Sequence, residues 1–284
     1  MRIIESPEEM HACAAELIGQ GQRIVFVPTM GYLHEGHLSL LREGRRLGDV
    51  LVLSIFVNPI QFGEGEDFSL YPRDFQRDVD LARSVGVDIV FAPDVEELYP
   101  PDFATYVEVG GLTDTLCGRS RPGHFRGVTT VVCKLFNLVR PRVAIFGQKD
   151  FQQLAVIRRM VRDLNMDLEI RGVPIVREAD GLAMSSRNVY LDSGQRRQAL
   201  ALVESQRLAA ALVAAGERSS AAIIAAVRQR IEHEPDAVID YVQICDGDSL
   251  ADVEVVTSNS VLLVAVRIGK TRLIDNHYLF EEIS

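Results

Sequence analysis

Two histidines, His34 and His37, stand three residues apart in the stretch PTMGYLHEGHLSL (28–40), beside Gly31 and Gly36. Imidazoles at that separation share one helix face, and such a pair can ligate a metal, donate to phosphate oxygens or face solvent. The zinc-protease pattern is HExxH, with its histidines four apart. Here the spacing is HxxH, no third ligand is obvious nearby, and Gly36 weakens a helix interior, so zinc ranks below phosphate. Placement favours an anion, because the apolar run RIVFVP (23–28) ends just before the pair and the amphipathic HLSLLREGRRL begins at its end. A strand-to-helix junction turns unpaired N–H groups and the positive end of the helix dipole toward a ligand. Lys149, in GQKD after the strand-like RVAIFG, stands at a similar junction; it suits a phosphate or is an ordinary surface lysine. MSSRN, Met184 to Asn188, offers two hydroxyls and a guanidinium, a set suited to phosphates or to capping a helix.

The elements that position these groups alternate. RIVFVP, the helical HLSLLREGRRL and DVLVLSIFV (49–57) read as strand, helix, strand. The pattern continues through RDFQRDVDLARSVG, DIVFAP, GHFRGVTTVVCKLFNLVR, RVAIFG and DFQQLAVIRRMVRDL to a last strand, MDLEIRGVPIV. Such alternation predicts an α/β fold: a doubly wound, Rossmann-like parallel sheet whose ligands sit at the carboxyl ends of the strands. From about Val176 the character changes to alanine-rich helices between Ser193 and Glu234, a strand AVIDYVQIC, and a hairpin VLLVAVRIGKTRLIDNHYL turning at Gly269–Lys270. The expected division is a Rossmann-like domain over 1–175 and a smaller α+β domain over 176–284.

Composition narrows the function. At 284 residues with a net charge of −10 and no basic stripe, nucleic acid is not the expected partner. Cys13, Cys117, Cys133 and Cys245 are scattered without CxxC spacing, which suggests reduced thiols rather than a zinc cage or disulfides. MRIIESPEEM lacks the apolar stretch of a secretory signal, and runs such as VLVLSIFV fall short of the roughly 18 residues that a span needs. A soluble, cytoplasmic protein with no membrane partner is expected. Two nucleotide motifs fail: Gly269-Lys270-Thr271 imitates the end of a P-loop, but the first glycine position falls on Val264 inside a strand. Gly19 and Gly21 begin a dinucleotide pattern whose third glycine is Ile24, and the segment precedes its strand.

PTMGYLHEGH resembles the HxGH motif of nucleotidylyl-transferases. With FVNPIQFG (56–63), YPRD (71–74), RPGHFRGV (121–128), FGQKDFQQ (146–153), VREADGLAMSSRN (176–188) and TRLIDN (271–276), the chain resembles the pantoate–β-alanine ligase (pantothenate synthetase) family over nearly its whole length. The resemblance implies a ligase of pantothenate biosynthesis, on the route to coenzyme A. Such an enzyme joins pantoate to β-alanine through a pantoyl adenylate, with ATP as cosubstrate and Mg2+, and releases AMP and diphosphate. It implies catalytic roles for His37, His34 and Lys149, His37 being the proton donor. ATP contacts are implied for these three and for Met30, Gly31, Tyr32, Leu33, Glu35, Gly36, Gly147, Gln148, Asp150, Val176, Met184, Ser185, Ser186 and Arg187, the last three helping the second domain to act as a lid. Pantoate falls to Gln61 and Gln153, with Asn58, Arg121 and His124 as weaker candidates. Tyr32 and Gln148 depart from the alanine and glutamate of many relatives. No carboxylate cluster identifies protein ligands of magnesium. A homodimer is implied. The alternative is an adenylyltransferase of the same superfamily with a nucleotide product.

Overall fold

The computed structural model describes residues 1–283. They fall into two compact units, Met1–Gln148 with Gln152–Pro174, and Lys149–Phe151 with the chain from Ile175 onward. The first contains β1 (Arg2–Ile4), α1 (Pro7–Gly19), β2 (Ile24–Thr29), α2 (Glu35–Leu47), β3 (Val50–Ile55), α3 (Phe75–Ser84) and β4 (Ile89–Phe91). It continues with α4 (Val95–Leu98), α5 (Leu116–Ser120), α6 (His124–Val139), β5 (Val143–Gly147), α7 (Phe151–Asp163) and β6 (Glu169–Val173).

All six strands run parallel, in the order β1-β4-β3-β2-β5-β6. Successive strands build outward from β2 in opposite directions, so the order reverses between β2 and β5, where a doubly wound sheet opens a crevice at its carboxyl edge. The central strands IVFVPT and VLVLSI are buried along most of their length rather than alternately, as helices on both faces require. Val25, Val27, Leu51, Leu53 and Ile145 are fully buried, and α2 sets Leu38, Leu40 and Leu41 against them. Besides the short α4 and α5, two elements at the start of the chain escape the sequence reading. β1 is only three residues long, too short to show a pattern, and α1 begins at Pro7 after Ser6, whose Oγ accepts the Glu9 N–H at 3.3 Å.

The second unit holds α8 (Ser193–Ala199), α9 (Ala201–Ala214), α10 (Ser220–Glu232) and the antiparallel strands β7 (Ala237–Asp246), β8 (Ser260–Ile268) and β9 (Thr271–Tyr278). β8 is central, and the turn to β9 carries Gly269 at φ 58, so Gly-Lys-Thr is a hairpin rather than a phosphate loop. The alanine-rich helices are packing elements: Leu202, Ala209, Val213, Ile223 and Val227 share a core with Val264 and Val266. The four cysteines are unlinked, with Cys13, Cys117 and Cys245 buried. Among the described residues no helix is long and apolar enough to cross a membrane.

Candidate active site

β2 ends in a turn that the fold must hold against its backbone preference. Gly31 at φ 80 and Tyr32 at φ 48 lie consecutively in the left-handed region, which L side chains disfavour. A Cβ on Gly31 would stand 3.0 Å from both Asp78 Oδ2 and Ile55 Cγ2. Asp78, 1% exposed on α3, is what fastens the turn: its carboxylate accepts the N–H of Tyr32 at 2.6 Å and of Leu33 at 2.7 Å. Thr29 Oγ1 accepts from Gly31 N at 3.2 Å and donates to Ser54 O at 2.7 Å. Burial raises the Asp78 carboxyl above its ordinary pKa, outweighing the two N–H donors and the nearby Arg77. A carboxylate costly to bury is thus retained where it shapes a loop. Asp78 escaped the sequence reading because QRDVDL looks like a solvated helix face.

The N–H groups of Gly31, Tyr32 and Leu33 are therefore spent inside the protein. The departure at Tyr32 leaves its ring beside Arg77, whose guanidinium carbon lies 5.2 Å from the ring centroid. Donors for an anion come instead from the first turn of α2 and from the imidazoles. His34 is the N-cap, in extended backbone, and its N–H donates to His37 Nδ1 at 3.3 Å. That nitrogen must be unprotonated, so neutral His37 carries its hydrogen on Nε2 and presents it as a donor. The two rings lie 4.0 Å apart between centroids. Of the other residues here, Glu35 is ion-paired with Arg42 and Gly36 O accepts from Ser39 Oγ at 2.7 Å.

Met30 links this turn to Gln61: the Gln61 amide Nε2 stands 3.1 Å from Met30 Sδ. Gln61 ends a single 3-10 turn, Pro59–Gln61, and is 9% exposed. Asn58, 1% exposed, donates to Gln61 Oε1 at 2.9 Å and to Gly127 O at 3.1 Å, and accepts from the Tyr99 hydroxyl at 2.9 Å. Arg121 binds Glu66 through two hydrogen bonds of 2.7 and 2.6 Å and meets His124 Nε2 at 3.0 Å, while His124 Nδ1 lies 2.8 Å from Gln61 O. Burial pushes the Glu66 carboxyl up, yet Arg121, Gly63 N–H and His124 together hold it at about 2. Asn58, Arg121 and His124 thus grip Gln61 and its loop. Gln153 sits half-buried in the first turn of α7; its neighbour Gln152 is structural, bonded to Cys117 N, Leu112 O and Thr115 O. Gly147 ends β5, and Gln148 begins a short 3-10 turn through Asp150.

In the second unit, Lys149 and Asp150 follow in sequence, and Asn276 Nδ2 donates to Lys149 O at 2.9 Å. Residues 176–188 fold back on themselves, with Met184 N donating to Val176 O at 2.9 Å and Arg177 bridging to Ala183. A buried pair, Arg177–Asp275 at 2.8 and 3.1 Å, fastens this segment to β9. Asn188 donates to Glu178 at 2.6 Å, and Arg196 reaches Glu178 and Asp180. The capping reading of MSSRN is what the structure shows: Ser185 Oγ accepts from Arg187 N at 3.3 Å, and Ser186 is buried at 8% exposure. A capping hydroxyl still has a hydrogen to give. The sequence left TRLIDN without a role; its Asp275 and Asn276 are anchors. Among the described residues, no group of three or more His, Cys, Asp or Glu side chains could hold a metal ion.

The model for the pantoate–β-alanine ligase family matches residues 2–278. The chain belongs to that family. It is accordingly a ligase that forms an amide bond. Two similar family members, both named pantothenate synthetase, come from Syntrophotalea carbinolica, 64% identical with 93% of each chain covered, and Geobacter sulfurreducens, 56% identical with 99% of this chain and 100% of the relative covered. The crystal structure of the family member from Thermus thermophilus superposes with a TM-score of 0.94 at 45% identity, covering 99% of this chain and 100% of that one. The Francisella tularensis family member, described as complexed with beta-gamma ATP and beta-alanine, gives a TM-score of 0.82 at 32% identity over 100% of both chains.

Proposed function

We propose that the protein condenses pantoate with β-alanine in two steps at the expense of ATP. A pantoate carboxylate oxygen attacks the α-phosphorus and diphosphate leaves; the β-alanine amine then attacks the acyl carbon of pantoyl adenylate and AMP leaves. A carboxylate does not expel oxide, so activation as a phosphoric anhydride is what makes the amide accessible. The first step needs donors at the α-phosphate oxygens, where charge develops during transfer. The observation that carries the reading is His37: its Nδ1 is occupied by the His34 N–H, so Nε2–H is presented beside the N-terminus of a helix. We assign His37 as proton donor, with His34 and Lys149 as further phosphate partners. Met30 to Gly36, Gly147 to Asp150, and Val176 with Met184 to Arg187 are assigned to ATP, and Gln61 and Gln153 to pantoate. Magnesium enters with the nucleotide as MgATP, as substrate. The cytoplasm and a homodimer are assigned on the family resemblance alone.

The test is incorporation of labelled β-alanine with ATP and pantoate, measuring AMP and amide together. Equal amounts are expected, and His37→Ala is expected to lower kcat by about 10² to 10³. A nucleotide product formed without β-alanine would favour an adenylyltransferase, and a His37→Ala enzyme with unchanged turnover would remove the donor role.

A further inference from the structure

The hydrogen bonds around Gln61 determine which end of its amide faces a ligand. A backbone carbonyl only accepts, so the Asn58 atom 3.1 Å from Gly127 O must be the NH2 nitrogen. The same nitrogen has a second hydrogen, and its partner on Gln61, 2.9 Å away, must therefore be Oε1. Asn58 Oδ1 is left to accept from the Tyr99 hydroxyl at 2.9 Å, and burial pushes that phenol's pKa up, which keeps it protonated and donating. Gly127 can anchor the chain because backbone touches backbone there: a Cβ would lie 2.4 Å from Ile60 O and 2.6 Å from Gln61 Cα. The Gln61 main chain is held as well, by His124 on its carbonyl. What remains is Nε2, whose protein partner is the Met30 thioether, a weak acceptor.

We infer that the chain from Gly127 O through Asn58, with Tyr99 behind it, turns Gln61 Oε1 toward Asn58 and makes Nε2 the atom that Gln61 offers a ligand, as a donor. The acid substrate is then read at this point by one of its oxygen acceptors, and Asn58 and Tyr99 are positioning residues. The inference rests on the reading of Gln61 as a pantoate contact. An analogue offering N–H in place of that oxygen would meet another N–H and be rejected.

The experiment is steady-state kinetics on Gln61→Ala, Asn58→Asp and Tyr99→Phe, alone and combined, with KM measured separately for pantoate, ATP and β-alanine. Gln61→Ala is expected to raise the pantoate KM about tenfold to a hundredfold, and Asn58→Asp by a similar factor, since a carboxylate there draws the Gln61 amide round. Tyr99→Phe removes only a hydroxyl, so it remains a test even if Asn58→Asp does not fold; a rise of about threefold to tenfold is expected. The other two KM values stay within about twofold, and in the Gln61→Ala background the second changes add less than about twofold. A wild-type pantoate KM in Tyr99→Phe, or a full Asn58→Asp effect without the Gln61 side chain, overturns the inference. An unchanged pantoate KM in Gln61→Ala overturns it together with the pantoate role of Gln61. Amide formation by the wild type would still stand for the activity.

Discussion

The turn at 28–37 and the segment at 176–188 both carry residues assigned to phosphate, but they are held in opposite ways. The turn rests on one buried carboxylate, Asp78, bonded to two backbone N–H groups of a left-handed stretch. The segment is tied by charged pairs, Arg177 with Asp275 and Arg196 with Glu178 and Asp180. A carboxylate that accepts from the backbone dictates geometry at a cost in desolvation, whereas paired charges compensate one another and hold segments together. The first arrangement should therefore govern turnover, and the second stability.

The largest expected effect lies in the second unit. Asp275→Ala leaves Arg177 buried without its partner and should cost about 3–5 kcal/mol in urea unfolding. Loss of turnover with unchanged stability would break the comparison from that side. Asp78→Asn is the converse: it removes a buried charge but offers one acceptor to two N–H groups, so the His34–His37 turn shifts. A fall in kcat of about 10² is expected, with a change in thermal midpoint smaller than that of Asp275→Ala. An Asp78→Asn enzyme that unfolds early yet turns over normally would reverse the assignment.

Glu66 sharpens the comparison, because here an ion pair lies beside the substrate-binding candidate. Its folded pKa, about 2, is below the unfolded value of about 4.3, so the pair contributes stability above that value and loses it as pH falls through about 2. In acid unfolding, the advantage of the wild type over Glu66→Gln should shrink across that window; an advantage constant with pH would remove the linkage. The smallest effect is expected for Arg196→Ala, whose partners are partly solvated: about 0.2–1 kcal/mol, read from the urea midpoint. A loss above about 2 kcal/mol would mean that this network acts as a buried one.

The sheet was largely legible in the sequence because strands covered on both faces read as unbroken apolar runs, as RIVFVP and DVLVLSIFV do. β1 was not, since three residues carry no period. His34, His37 and Lys149 were legible as phosphate candidates by chain position alone, as each follows a strand and stands at or just before the start of a helix. Pantoate and β-alanine were not legible from spacing or charge, and entered only through family resemblance. The positioning residues were hidden for a different reason: Asp78, Tyr99 and Asp275 act on groups far along the chain.

By itself the sequence determined the alternation that makes a doubly wound sheet, the hairpin at Gly269, the exclusion of P-loop and zinc-protease patterns, and the placing of two imidazoles where a strand meets a helix. These follow from local periodicity and residue type, which need no distant partner. Only the tertiary structure decided that the Tyr32 and Leu33 N–H groups are already taken by Asp78, and which end of the Gln61 amide is turned to donate, through the bond of Asn58 to Gly127 O. Each of those depends on the polarity of a hydrogen bond, and polarity is set by the partner that folding brings within about 3 Å.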